Sequence, residues 1–249
     1  MDYEQNNYQA FDIEIVDTEQ QKIEYARLSF IRKVFLIILF QIGFTFITTL
    51  IAYSQYPIID YLCNRPFLFW IFMVLLILVI FLLINFQKLA KQHPYNYICY
   101  SCFTLSISYI FFYTTHHYHT YSNHIISLIT LQIGIIISLL IYSYLTKQEI
   151  NLNKGLIYIV FTIALLFIFL FLYLKLSLIF LFILSFLNIL YGVHIIIDTL
   201  LIVNGEKHEL DIDDYIIAAL MTQVDIIGLI SILFQKLVSQ LSKIQINSN

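Results

Sequence analysis

Uninterrupted apolar runs dominate this chain and decide its solvent before any other feature is weighed. A helix needs about 20 mostly apolar residues to cross a bilayer core. Seven such runs lie between polar breaks, at about 30–54, 67–86, 95–115, 124–146, 155–173, 176–203 and 215–238. The residues 155–203 form the longest stretch, 49 residues interrupted only by Lys175. As one helix it would span about 73 Å, more than twice a hydrocarbon core, so a turn is expected at Lys175. The spans show no sustained period-two alternation with a polar face, which argues against a transmembrane barrel. The expected fold is therefore all-α, a polytopic seven-transmembrane-helix bundle.

Composition closes off the other classes. Charged residues make up 12% of the 249 and hydrophobic ones 60%, with a mean hydropathy of +0.84. An average soluble domain carries about a quarter charged residues, so an ordinary water-soluble fold is excluded. The net charge of −3 and the lack of any basic block exclude a nucleic-acid partner. Cys63, Cys99 and Cys102 are too few and too scattered for a disulfide framework. No phosphate-binding Gly-Lys-Ser/Thr loop occurs, and nothing in the chain calls for a cofactor or an enzymatic reaction.

Three segments follow: a polar N-terminal tail at 1–29, the membrane domain at 30–241, and a short polar tail at 242–249. The first 29 residues lack the basic start and early apolar core of a signal peptide, so the first span is expected to serve as its own insertion signal. Basic residues set the orientation. With seven spans, Lys22, Arg27, Arg32, Lys33, Lys88, Lys91, Lys147, Lys154 and Lys207 fall on one side, and Arg65, Lys175, Lys236 and Lys243 on the other. Nine against four places the N-terminus in the cytosol.

Only two carboxylates sit well inside spans, Asp198 in the sixth and Asp225 in the seventh. An ionised group there costs a few kcal/mol or more and so demands a reason. Asp198 lies five residues before the break at Asn204, and Asp225 ten residues after Tyr215, so their depths differ by about one and a half turns. If they meet, one proton is shared between them, and the deprotonated pair offers hard oxygen ligands suited to Ca²⁺. Alternatively each carboxylate merely hydrogen-bonds a backbone or hydroxyl group, such as Thr199 or Thr222.

Other polar groups carry less. His116, His117, His119 and His124 cluster between the third and fourth spans, but without the fixed spacing of a Zn²⁺ site. Glu206, Glu209, Asp211, Asp213 and Asp214 lack the glycine and terminal Glu of an EF-hand. Asp211 is expected to cap the seventh helix, with Asp213 and Asp214 favoured by its dipole. Gln41, Gln132 and Asn188 are expected to hydrogen-bond between helices, and Cys99 and Cys102 to pack.

Several stretches resemble one family. They are Arg27–Ile42 (RLSFIRKVFLIILFQI), His93–Asn96 before Phe103–Tyr109, Thr146–Glu149, and above all Ile197–Gly205 (IDTLLIVNG), then Asp213–Leu220 and Val224–Ile227. In order and position they are similar to the Bax inhibitor-1 / Lifeguard (transmembrane BAX inhibitor motif) family, from about Arg27 to Phe234. The long connection between the last two spans looks most like the Lifeguard branch. The resemblance implies a bundle with the last helix central and a Ca²⁺ leak gated by an aspartate pair, which maps onto Asp198 and Asp225. It further implies endomembranes such as the endoplasmic reticulum or Golgi (the plasma membrane being a second location), protection from cell death, and partners among membrane proteins of cell-death or Ca²⁺ pathways. Ca²⁺ is then the transported ion rather than a cofactor. Bacterial relatives pair the latch with a basic residue near the end of the second helix, for which Lys88 and Lys91 are the candidates here.

Two alternatives stand beside the leak. One is a non-conducting membrane scaffold that regulates cell death by binding proteins. The other is an intramembrane aspartyl protease, which has two acids in adjacent helices but a Gly-x-Gly-Asp motif where this chain has Thr222-Gln223-Val224-Asp225.

The basic-residue count generates a direct test of topology. A glycosylation acceptor inserted at 115–123 should be modified on insertion into endoplasmic-reticulum membranes, and one at 147–154 should not. The reverse pattern would overturn the orientation.

Overall fold

The computed structural model describes residues 2–54, 61, 63, 65–146, 150–174, 176–207, 210, 211 and 213–228, with side chains from residue 22 onward. Among these residues every regular element is a helix: α1 (Asp2–Tyr53), α2 (Pro66–Asn85), α3 (Tyr95–His117), α4 (Ser122–Leu145), α5 (Leu152–Leu174), α6 (Leu178–Val203) and α7 (Tyr215–Gly228). Single helical turns, Gln87–Ala90 and His119–Tyr121, lead into α3 and α4. Six of the helices, α1 to α6, are long and apolar enough to cross a membrane, and α7 is a shorter apolar helix. The rest of the expected seventh span, 229–238, lies outside the described residues.

Local chemistry sets the boundaries. Pro66 opens α2, where its missing N–H is no loss. Asn151 caps α5, its Oδ1 accepting from the Asn153 N–H at 2.9 Å. Ser177 caps α6 by accepting from the Phe180 N–H. The 155–203 run does divide where length required it, ending α5 at Leu174 and starting α6 at Leu178. Lys175 itself lies outside the described residues.

The polar segment 1–29 and the first span share one helix, α1 being continuous from Asp2. At about 1.5 Å per residue, its 52 residues reach about 78 Å, so its acidic first half extends well beyond a bilayer core. The segment between the third and fourth spans is largely helical. His116 and His117 belong to the last turn of α3, His119 to a 3₁₀ turn and His124 to the start of α4.

Burial shows which helix is inside. Every residue from Ile216 to Thr222 of α7 is buried, a full two turns with no exposed face. A helix covered all round is one surrounded by others, and α7 is indeed shared by two cores. Ala218 and Ala219 join Val34, Ile38, Ile135, Leu139 and Ile195 of α1, α4 and α6. Ile217, Leu220, Met221 and Val224 join Val79, Leu83 and Phe103 of α2 and α3. By contrast α2 exposes Phe67, Trp70, Val74, Ile77 and Phe81 along its outer side, an apolar area that only lipid can cover.

Close approach constrains Gly134, Gly155 and Gly192, and at Gly192 it involves two neighbouring helices at once. A Cβ added at Gly192 of α6 would stand 2.8 Å from Ile159 Cδ1 and 3.0 Å from Ile135 Cγ2, so the glycine lets α6 seat against both α4 and α5. Gly192→Val should therefore lower stability by roughly 1–3 kcal/mol, the usual effect of overpacking a filled core. Gly43→Ala, where no atom lies within 4 Å of the added methyl, should be neutral or stabilising. Thermal unfolding in detergent checks the pair, and equal melting shifts for both would refute the packing argument.

Candidate functional site

The end of α6 is built to turn the chain back on itself. Gly205 adopts φ +73°, the left-handed conformation that glycine takes without strain. Its N–H bonds the Ile202 carbonyl and the Glu206 N–H bonds the Leu201 carbonyl, the paired bonds of a Schellman stop. The Lys207 N–H also reaches the Leu201 carbonyl, at 3.2 Å. Lys207 is thereby folded back along the last turns of the helix it has just left.

There its ammonium meets both intramembrane acids. Lys207 Nζ donates to Asp198 Oδ1 and lies 2.6 Å from Asp225 Oδ2. The three side chains grade from inside to outside: Asp198 is 1% exposed, Asp225 22% and Lys207 31%. The structure thus brings the two sequence-predicted carboxylates together, but around a cation rather than directly against one another. The two hydroxyls named as alternative partners are engaged within their own helices, Thr199 Oγ1 donating to the Ile195 carbonyl and Thr222 Oγ1 to the Ala218 carbonyl. Asp198 Oδ2 is buried with no hydrogen-bond partner among the described residues.

Lys207 is the residue the sequence reading missed. Lys88 is exposed on the turn before α3, and Lys91 Nζ lies 3.7 Å from Asp214 Oδ2. The cation on the Asp198–Asp225 pair is therefore neither of the two candidates. The signal that could have found it was Asn204–Gly205, a helix stop that returns the next residues toward Asp198. Burial pulls the Lys207 ammonium down, but its hydrogen bonds to Asp198 and Asp225 and their charges outweigh that, and the net shift is upward from 10.5.

Neighbouring contacts hold the start of α7. Asp214, not Asp211, occupies its N-cap position: Ala218 N–H bonds the Asp214 carbonyl, and the Asp211 N–H donates to Asp214 Oδ2. Lys33 of α1 stands over the Tyr215 ring, 4.9 Å from its centroid. Polar links between helices come from other residues than expected. Thr45 Oγ1 and Ser108 Oγ join α1 to α3 at 2.8 Å, and Tyr100 donates to the Ile37 carbonyl. Arg32 donates from Nε and Nη2 to the Ser143 carbonyl near the end of α4. Asn188 Nδ2 instead bonds the Leu184 carbonyl of its own helix. Among the described residues no three His, Cys, Asp or Glu converge as a metal cluster, and Glu209 lies outside them.

Chemically the site is two carboxylates that share the Lys207 ammonium where α6 ends. Its oxygens suit a hard cation, and its resident positive charge is tethered rather than free. Compared with known proteins, the chain matches the family described as inhibitor of apoptosis-promoting Bax1 over residues 27–242. No solved structure matches it.

Removing the ammonium should leave Asp198 buried and uncompensated. Lys207→Met should destabilise the protein by roughly 1–3 kcal/mol, less than a fully buried pair because Lys207 is partly solvated. Adding Asp198→Asn should recover part of that loss. Because the Lys207 value is raised, its contribution is fully present below pH 10.5 and is lost only as pH climbs through the higher folded value. Melting temperatures of wild type and Lys207→Met should therefore differ by a constant amount from pH 7 to 9, as far as the lysine is concerned, and converge in strong base.

Proposed function

The chain belongs to the Bax inhibitor family, and on that footing we propose that it is a multi-pass membrane protein that restrains cell death by leaking Ca²⁺ passively, with its pathway closed at Asp198, Lys207 and Asp225. The observation that carries this reading is the single ammonium held between two intramembrane carboxylates. A Lys ammonium and a Ca²⁺ ion compete for the same oxygens, and the tethered one has the higher local concentration until the lysine or a helix moves away. Protonating either carboxylate removes one of the two anchors of Lys207, which is how pH acts on the gate. We place the protein on the Lifeguard branch and in an endomembrane, with its N-terminus in the cytosol. Support for the branch comes from the length of the α6–α7 connection, and for the orientation from the basic residues.

The test is Ca²⁺ flux into dye-loaded liposomes holding the purified protein. Wild type should pass Ca²⁺ without nucleotide and with a pH-dependent rate. Asp198→Asn and Asp225→Asn should each flatten the pH response, since an amide can neither share the proton nor gain charge. Lys207→Met should raise the flux by freeing the oxygens. If both Asp variants keep wild-type flux and pH response, the aspartates are structural and the leak reading fails. A wild type that passes no Ca²⁺ at any pH would favour the non-conducting scaffold.

A further inference from the structure

Three sulfur-bearing side chains collect where α2, α3 and α7 pack together. Cys99 of α3 and Met221 of α7 belong to one buried cluster, and Cys102 packs against it. Cys99 is 8% exposed and Met221 1%, while Cys102 is half-buried. Both cysteines are free thiols, and they lie close enough to feel each other's charge. Their depths agree with that of Met221. Lys91, one turn before α3, reaches Asp214 at the N-cap of α7, so the two helices start from the same end of the bundle. Counted from Tyr95, Cys99 and Cys102 lie about 6 and 10 Å along α3, and Met221 lies about 9 Å along α7 from Tyr215.

Helix geometry decides what the two thiols can do. Residues three apart on a helix hold their Cβ atoms about 5–6 Å from one another. A disulfide needs about 3.5–4.5 Å, so the thiols cannot join while α3 keeps its regular turns. An ion between them is within reach: two metal–sulfur bonds of about 2.3 Å set the sulfurs up to about 4.6 Å apart. The donor set then selects the ion. Zn²⁺ takes four ligands from Cys, His, Asp and Glu, and among the described residues no third such side chain joins the pair. The Met221 thioether is instead a soft, neutral third donor. Two thiolates and a thioether form the kind of set that suits Cu⁺, an ion satisfied by two or three ligands.

We propose that Cys99, Cys102 and Met221 form a Cu⁺ site between α3 and α7. Binding displaces the two thiol protons: one Cu⁺ and two thiols give a bis-thiolate complex of charge −1, and two protons leave. The thioether adds no charge, and no electron is transferred. Half-buried Cys102 gives the ion its way in. The site shares no residue with Asp198, Lys207 and Asp225, and it does not rest on Ca²⁺ conduction.

Anaerobic titration of the purified, reduced protein in detergent with Cu⁺, in competition with the chelator bicinchoninate, tests this. Wild type should hold one Cu⁺ per chain, and X-ray absorption at the copper edge should show sulfur neighbours alone, at about 2.3 Å. Cys99→Ser and Cys102→Ser should each weaken binding at least about tenfold, since even residues behind a metal's ligands are worth that much. Met221→Leu should weaken it several-fold, and Cys63→Ser should leave it unchanged. Failure to take Cu⁺ from the chelator, or nitrogen or oxygen neighbours at the copper, would overturn the site. So would Zn²⁺ held as tightly as Cu⁺, or unchanged affinity in any of the three ligand variants. Should a variant not fold, the wild-type stoichiometry and sulfur shell decide alone.

Discussion

A carboxylate buried in a membrane bundle must find a positive charge, and here one lysine serves two acids. Asp198 is inaccessible to solvent on α6, and Asp225 faces it from α7. Neither helix could carry its acid alone without neutralising it or drawing it to the surface. The ammonium of Lys207 binds both helices to one point. The carboxylate oxygens gathered there are of the hard kind that cations such as Ca²⁺ take as ligands.

The bridge can exist only because α7 is placed where it is. Small residues, Ala218 and Ala219, turn one side of α7 toward the α1, α4 and α6 core, while Leu220, Met221 and Val224 fill the gap to α2 and α3. A central helix of this kind cannot shift on one side without reopening the other, because packed interiors accommodate little change in volume. Asp214 against Lys91 and Tyr215 beneath Lys33 fix its outer end to two different neighbours. Movement at the bridge is thereby coupled to the whole bundle rather than to a single loop.

Much of this architecture was legible in the residues, and the misses have physical causes. Six spans and the turn near Lys175 follow from apolar length against a fixed bilayer thickness, a constraint that leaves little freedom. The two acids were conspicuous because charge inside a span is rare. Lys207 was not, since it sits among other charges in a polar break and acquires its role only through the backbone reversal at Gly205. The start of α1 was obscured because a polar helix without an apolar stripe carries no periodic signal. Asn188 and Gln41 were read as links between helices, whereas Asn188 bonds within its own helix and each leaves an oxygen without a partner among the described residues. Polarity inside a span announces that a group needs a partner, but not where the partner lies.

The nine-residue spacing of the bridge has a consequence for how the protein is made. Ribosomes add about 5–20 residues per second, so Lys207 follows Asp198 out of the ribosome within about 2 s. Asp225 comes 18 residues after that, and the triad is complete within about 4 s more. Arg32 waits far longer, since the Ser143 carbonyl lies 111 residues downstream, about 5–20 s of synthesis. The most buried acid is thus paired from the helical hairpin that contains it, during its own insertion. The link between α1 and α4 belongs to a later stage of assembly, when the first helix has already stood in the bilayer while three more were added.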